Sequence, residues 1–159
     1  MTRKSISAIL VLVLVVLGSC DKSRIYEQNI DLPDTKWEEN KELSFDFEVP
    51  DHRQMYNVLY NVRYSMDYPF YNLYVKYYLL DSTGKELNQK LQGMDLLDPK
   101  TGRPFGKGVG GVYDYRILAL PNHIFPYSGK YTMKVKQYMR QNPLPHIYSF
   151  GLRVEKAGA

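Results

Sequence analysis

From Lys41 onward the chain alternates between apolar and polar residues with a period of two. Leu43, Phe45, Phe47 and Val49 fall on one side, and Ser44, Asp46 and Glu48 on the other. Such alternation describes a strand with one face buried and one wet. Val58, Tyr60, Val62 and Tyr64 repeat it, as do Tyr71, Leu73, Val75, Tyr77 and Leu79. The stretch from Glu86 to Leu97 is weaker, with Leu87, Leu91, Met94 and Leu96 slipping in phase, which places a bulge at Gly93. Further strands are expected over Val112–Leu120, over Tyr131–Met139, and over Tyr148–Val154. Pro50-Asp51, Asp81-Ser82-Thr83-Gly84 and Asp98-Pro99-Lys100-Thr101-Gly102 supply turns between them.

No segment beyond residue 20 sustains a period of 3.6. About eight strands with frequent turns predict an all-β chain, an antiparallel β-sandwich of jelly-roll-like type over residues 41–156. Residues 21–40 are polar and acid-rich and read as a tether and lead-in, with a short strand near Arg24–Ile30.

The first 20 residues follow a different rule. Arg3 and Lys4 precede an apolar run from Ile6 to Leu17, then Leu17-Gly18-Ser19-Cys20. That is the layout of a secretory signal over residues 1–19. The run is about 12 residues long, against the ~20 a spanning helix needs. The Leu-Gly-Ser-Cys ending resembles the lipobox of bacterial lipoproteins, which makes Cys20 the expected lipid-attachment residue and a membrane the expected first partner. Each buried methylene contributes ~0.8 kcal/mol, and two or more chains hold a protein stably.

Composition narrows the remaining choices. Cys20 is the only cysteine, so no disulfide within the chain can form. Losing Arg3 and Lys4 with the leader lowers the formal charge from +4 to +2, too balanced to argue for nucleic acid. The unusual residue is tyrosine, 15 against six phenylalanines and one tryptophan. Tyrosine has an apolar body and a polar tip, and it suits strands and half-wet surfaces.

Candidate chemistry is sparse. His52, His123 and His146 are far apart, and none has a second ligand at metal-binding spacing. No nucleophile–base or paired-acid pattern stands out, so neither an enzyme nor a cofactor is expected. The run from Gly102 to Gly111 invites a phosphate-loop reading. It has the wrong spacing, lacks the Ser or Thr after Lys107, and leads into a strand pattern rather than a helix. It reads as a connection between strands, with a mobile binding loop as the functional option.

Two surfaces remain. Tyr68-Pro69-Phe70-Tyr71-Asn72-Leu73 leads into a strand that turns Asn72, Tyr74 and Tyr78 outward if Leu73 and Val75 turn inward. Tyr71, Asn72, Tyr74 and Tyr78 are the candidate partner surface, since outward aromatics mark contact sites. The competing account buries them under a loop or second sheet. Lys130, Lys134, Lys136 and Arg140 share one strand face. A solvated face explains them, and docking to an acidic partner or to headgroups is the functional alternative.

The ordered set of motifs resembles one family. It comprises Trp37 ahead of Phe45-Asp46-Phe47, Tyr56-Asn57, Arg63-Tyr64, Tyr68-Pro69-Phe70-Tyr71-Asn72-Leu73, Gly106-Lys107-Gly108 before Val112-Tyr113-Asp114, and Gln137 to Ile147 followed by Gly151-Leu152-Arg153-Val154-Glu155. Together with the lipobox it is similar to the gliding-motility-associated lipoprotein GldH family of the Bacteroidetes. The resemblance implies a noncatalytic, membrane-anchored accessory component of the envelope gliding apparatus, with protein partners there. A carbohydrate-binding sandwich, with Tyr74, Tyr78 or the glycine-rich run as platform, is the rival. Surface-exported lipoproteins of that phylum carry acids after the cysteine. Here Asp21 is followed by Lys22, Ser23 and Arg24, which points to a periplasm-facing protein.

Overall fold

The structure is a computed structural model that describes residues 21–158. Cys20 and the signal segment lie outside the described residues. Eight strands of seven residues or more carry the fold: β1 (Arg24–Asp31), β3 (Leu43–Val49), β4 (Tyr56–Ser65), β5 (Asn72–Asp81), β6 (Glu86–Asp95), β8 (Val112–His123), β9 (Gly129–Gln137) and β11 (Ile147–Lys156). Three short strands accompany them: β2 (Lys36–Trp37), β7 (Lys107–Val109) and β10 (Leu144–Pro145).

One sheet has the order β1-β11-β4-β8-β7, the other β3-β9-β5-β6, and β2 pairs with β10 separately. Every pairing between strands is antiparallel. Along the chain the eight principal strands alternate between the sheets, except at the β5–β6 hairpin. That alternation is the double Greek key of a jelly roll.

The period-two reading holds along β3, β4 and β5, whereas Leu87 and Leu91 of β6 are exposed. Leu43, Phe45, Phe47 and Val49 are buried, as are Val58, Tyr60, Val62, Tyr64, Leu73, Val75, Tyr77 and Leu79. Tyr71 departs from the alternation: it precedes β5 and is 51% exposed. The bulge expected at Gly93 is also displaced. Tyr74 pairs in register with Gly93, and the shift falls between Leu79 and Leu80, opposite Asn88 and Glu86. A Cβ on Gly93 would lie 2.6 Å from the Tyr74 ring. The glycine is there to seat an aromatic, not to bend the strand.

Many tyrosines are core rather than half-wet surface. Tyr56, Tyr60, Tyr64, Tyr68, Tyr77 and Tyr131 are buried. A buried phenol needs a hydrogen-bond acceptor, and all of these but Tyr77 find one at the rim or across the core. Tyr56 donates to the Asp51 carbonyl at 2.9 Å, Tyr68 to that of Asn72 at 2.9 Å, and Tyr131 to that of Tyr127 at 2.7 Å. Tyr60 donates to Gln92 Oε1 at 2.7 Å, and Gln92 donates onward to the Ala119 carbonyl at 2.9 Å. This relay joins β4 and β8 to β6 of the facing sheet. Apolar contact does the rest: Phe150 packs against Trp37, Tyr60 and Phe45, with ring centroids 4.9, 5.1 and 6.5 Å away.

The glycine-rich run is a hairpin. Lys107–Val109 pairs with Val112–Asp114, and Gly110 and Gly111 both take positive φ in the two-residue turn. Two residues with positive φ match the twist of the flanking strands, which favours glycine at both positions.

Candidate functional site

β5 is central in the four-stranded sheet, with β9 on one side and β6 on the other. Its inward residues fill the core, so its even positions face away from it. Register then builds the outer surface row by row. Tyr74 lies beside Gly93, and its carbonyl accepts from the Tyr138 N–H at 2.8 Å. Lys76 lies between Leu91 and Lys136, and Tyr78 between Gln89 and Lys134. Tyr74, Leu91 and Tyr138 are 41%, 46% and 61% exposed. Asn72 and Tyr78 are half-buried.

The four candidate residues thus sit along one line. Tyr71 is at the end where β5 begins, Asn72 and Tyr74 follow, and Tyr78 lies one turn of alternation beyond Lys76. Lys76 Nζ stands 5.0 Å from the centre of the Tyr78 ring, a cation–π distance. Tyr74 has a structural duty as well, because its ring covers the bare backbone of Gly93 on an edge strand. Beyond Tyr78 the face opens into a hollow of about 970 Å³. Leu80, Lys130, Thr132, Lys134 and Asp46 help to line it. Thr132 Oγ1 donates to Asp46 at 2.6 Å, and Lys134 is paired with Glu42 at 2.9 Å. The surface combines exposed aromatic rings with cations, a composition suited to contact.

Sequence reasoning identified the tyrosines but missed their neighbours Leu91 and Lys76. Both were visible as residues, yet only the pairing of β5 with β6 puts them beside the rings. It also missed a charged cluster on the outer face of the five-stranded sheet. Arg153, only 4% exposed, donates to Glu27 at 2.9 Å, to Glu155 at 2.6 Å, and to Asp21. Glu27 also accepts from Arg24, Asn61 and Arg116 at 2.9, 2.9 and 3.0 Å. Burial pushes the Glu27 carboxyl up, but these donors hold it down at about 2. The Asp21 carboxyl is likewise well below its ordinary value through hydrogen bonds from Ser23 and Arg153. The one local hint was an arginine with an acid two residues on, Arg153 and Glu155.

The histidines are not gathered. His52 meets Ser128 Oγ at 3.1 Å, and His146 lies 3.4 Å from Ser65 Oγ. His123 stacks edge-on to Phe125 at 4.6 Å, and burial lowers its pKa. Among the described residues no group of three or more His, Cys, Asp or Glu is arranged to hold a metal.

These features define an all-β sandwich of jelly-roll order with a mixed aromatic and cationic outer face. A family model described as GldH lipoprotein matches residues 24–154, and the chain belongs to that family. It is 28% identical over 156 residues to a gliding motility lipoprotein GldH homolog of Christiangramia forsetii, covering 94% of each chain. It is 28% identical over 159 residues to the gliding motility lipoprotein GldH of Flavobacterium johnsoniae, covering 94% of this chain and 96% of that one. Among solved structures, a chain of infectious bursal disease virus Gx strain is 12% identical with a TM-score of 0.44, over 87% of this chain and 33% of its own. So weak a likeness decides nothing about function.

Proposed function

We propose that the protein is a noncatalytic accessory component of the envelope gliding machinery, acylated at Cys20 and facing the periplasm. Membership of a lipoprotein family, with relatives named for gliding motility, carries this reading. The Leu17-Gly18-Ser19-Cys20 ending supports the anchor. Among the described residues no helix is long and apolar enough to cross a membrane.

The working surface is the outer face of the four-stranded sheet, with Tyr71, Asn72, Tyr74 and Tyr78 meeting a protein partner of the apparatus. Tyr71 and Tyr78 make the cleaner test, because Tyr74 also covers Gly93. A photo-crosslinking residue at position 71 is expected to capture a distinct envelope protein in cells. A Tyr71→Ser, Tyr78→Ser variant is expected to fold normally and to lose both that capture and support of surface movement. A variant that captures and moves like the wild type sinks the assignment. Glycan binding by the wild type that disappears in the variant would favour the carbohydrate-binding alternative instead.

A further inference from the structure

The residue after Cys20 is not on a loose tether. Asp21 accepts hydrogen bonds from Ser23 Oγ at 2.6 Å and from the buried guanidinium of Arg153. The Lys156 N–H donates to the Ser23 carbonyl at 2.8 Å, and β1 begins at Arg24. The chain is therefore tied to the sheet from its first residue beyond the proposed acylation site. A lipid on Cys20 leaves the domain almost no slack.

Strand register shows what else lies at that end. Arg24 pairs with Glu155, Lys156 with Tyr56, and Tyr56 with His123. In the facing sheet Val49 pairs with Gly129, and Asp81 with Tyr131. The loops 50–55 and 124–128, the 82–85 turn and the C-terminal residues 157–158 thus share one end of the sandwich with Asp21. They are laced together: the His52 N–H donates to Ser128 Oγ at 2.9 Å, and the Ala157 N–H to the Met55 carbonyl at 2.9 Å.

This end presents Met55 and Ile124, 48% and 59% exposed. Single exposed apolar residues are ordinary; their position at the end that carries the lipid is what counts. Lys22, Lys85 and Lys156 lie there too, exposed and without an ion-pair partner among the described residues. Acids stand at this end as well: Asp51 pairs with Arg53, Asp81 accepts from Thr83 and the Lys85 N–H within its own turn, and Glu86 opens β6.

We propose that this end of the sandwich docks directly on the anionic phospholipid surface that holds the lipid, with Met55 and Ile124 inserted at the headgroup boundary and the lysines on phosphates. This rests on acylation at Cys20, as proposed above. Two things argue for a bilayer as the occupant: the preceding segment leaves the domain here, and lysines without an ion-pair partner stand beside exposed apolar side chains, a combination that suits a headgroup layer. The arrangement orients the whole domain. β5 runs ten residues away from this end, about 30 Å at ~3.3 Å per residue. Tyr71 then stands at the far end, away from the membrane.

The test uses full-length protein, acylated in cells and reconstituted into phosphatidylethanolamine–phosphatidylglycerol vesicles. Met55→Cys, Ile124→Cys and Lys100→Cys each carry an environment-sensitive fluorophore, Lys100 being an exposed turn residue at the opposite end. Acylation at Cys20 is scored in the same samples with a clickable fatty acid, and folding by circular dichroism. Labels at 55 and 124 are expected to be quenched severalfold more by brominated lipid than the label at 100, and to resist aqueous iodide. Acylated protein whose labels at 55 and 124 respond to iodide like that at 100 overturns end-on docking alone. Protein with no acyl group at Cys20 overturns both the docking and the lipoprotein reading.

Discussion

Phe47 meets aromatic rings from three other stretches of the chain: Tyr26 at 5.8 Å, Phe125 at 5.6 Å and Tyr131 at 6.0 Å. Phe47→Ala is expected to cost ~3–5 kcal/mol, the lost burial plus a cavity its rigid neighbours cannot close. Chemical denaturation measures it, and a loss below about 1 kcal/mol would mean the site collapses freely. Tyr74 supports a finer comparison. Tyr74→Phe keeps the ring over Gly93 and is expected to leave stability within about 0.5 kcal/mol. Tyr74→Ala uncovers the edge backbone and is expected to cost about 1 kcal/mol. Equal stability of the two variants would remove Tyr74 from the packing. Leu43, Phe45, Phe47 and Val49 were legible as buried because alternation is a local property. The seat of Tyr74 on Gly93 was not, because it joins two strands.

At the scale of elements, the most consequential strand is β1. It is an edge strand, held to β11 by backbone bonds and to the core by the half-buried Ile25, Tyr26 and Ile30. Arg153 adds a charged clamp that joins Asp21 and Glu27 to Glu155. Arg153→Met leaves three acids facing one another around a half-closed site and is expected to cost roughly 3 kcal/mol. Hydrogen exchange should quicken in residues 24–31 before the rest of the sandwich; uniform acceleration would show that β1 is not a separate unit. The same clamp sets an acid limit. Glu27 is held at about 2 in the folded state against an ordinary value of 4.5. The unfolded chain therefore takes up the proton first, and this stabilisation declines as pH falls below about 4.5 and is gone below about 2. His123 acts in the same direction at higher pH. Burial lowers its folded pKa below 6.5, so the unfolded state binds the proton more readily and stability falls as pH drops through that value. His123→Phe is expected to flatten the melting-temperature profile just below pH 6.5; an unchanged profile would show that His123 is not the group responsible.

At the scale of the molecule, the two ends of the sandwich differ. One receives the chain from the proposed anchor; the other carries Tyr71, the β7–β8 hairpin turn and the small β2–β10 pair. Cys20→Ala is expected to abolish incorporation of a clickable fatty acid, and equal labelling of mutant and wild type would end the lipoprotein reading. The chain by itself determined the strand faces, most of the turns and the lipobox ending. Each depends on residues within a few positions of one another, where periodicity and turn chemistry act. Only the tertiary structure decided which strands pair, which tyrosines lie in the core, where Arg153 finds its acids and which loops share an end with Asp21. An alternating strand states which residues share a face. What covers that face is settled by pairing across many tens of residues, and no local pattern carries that information.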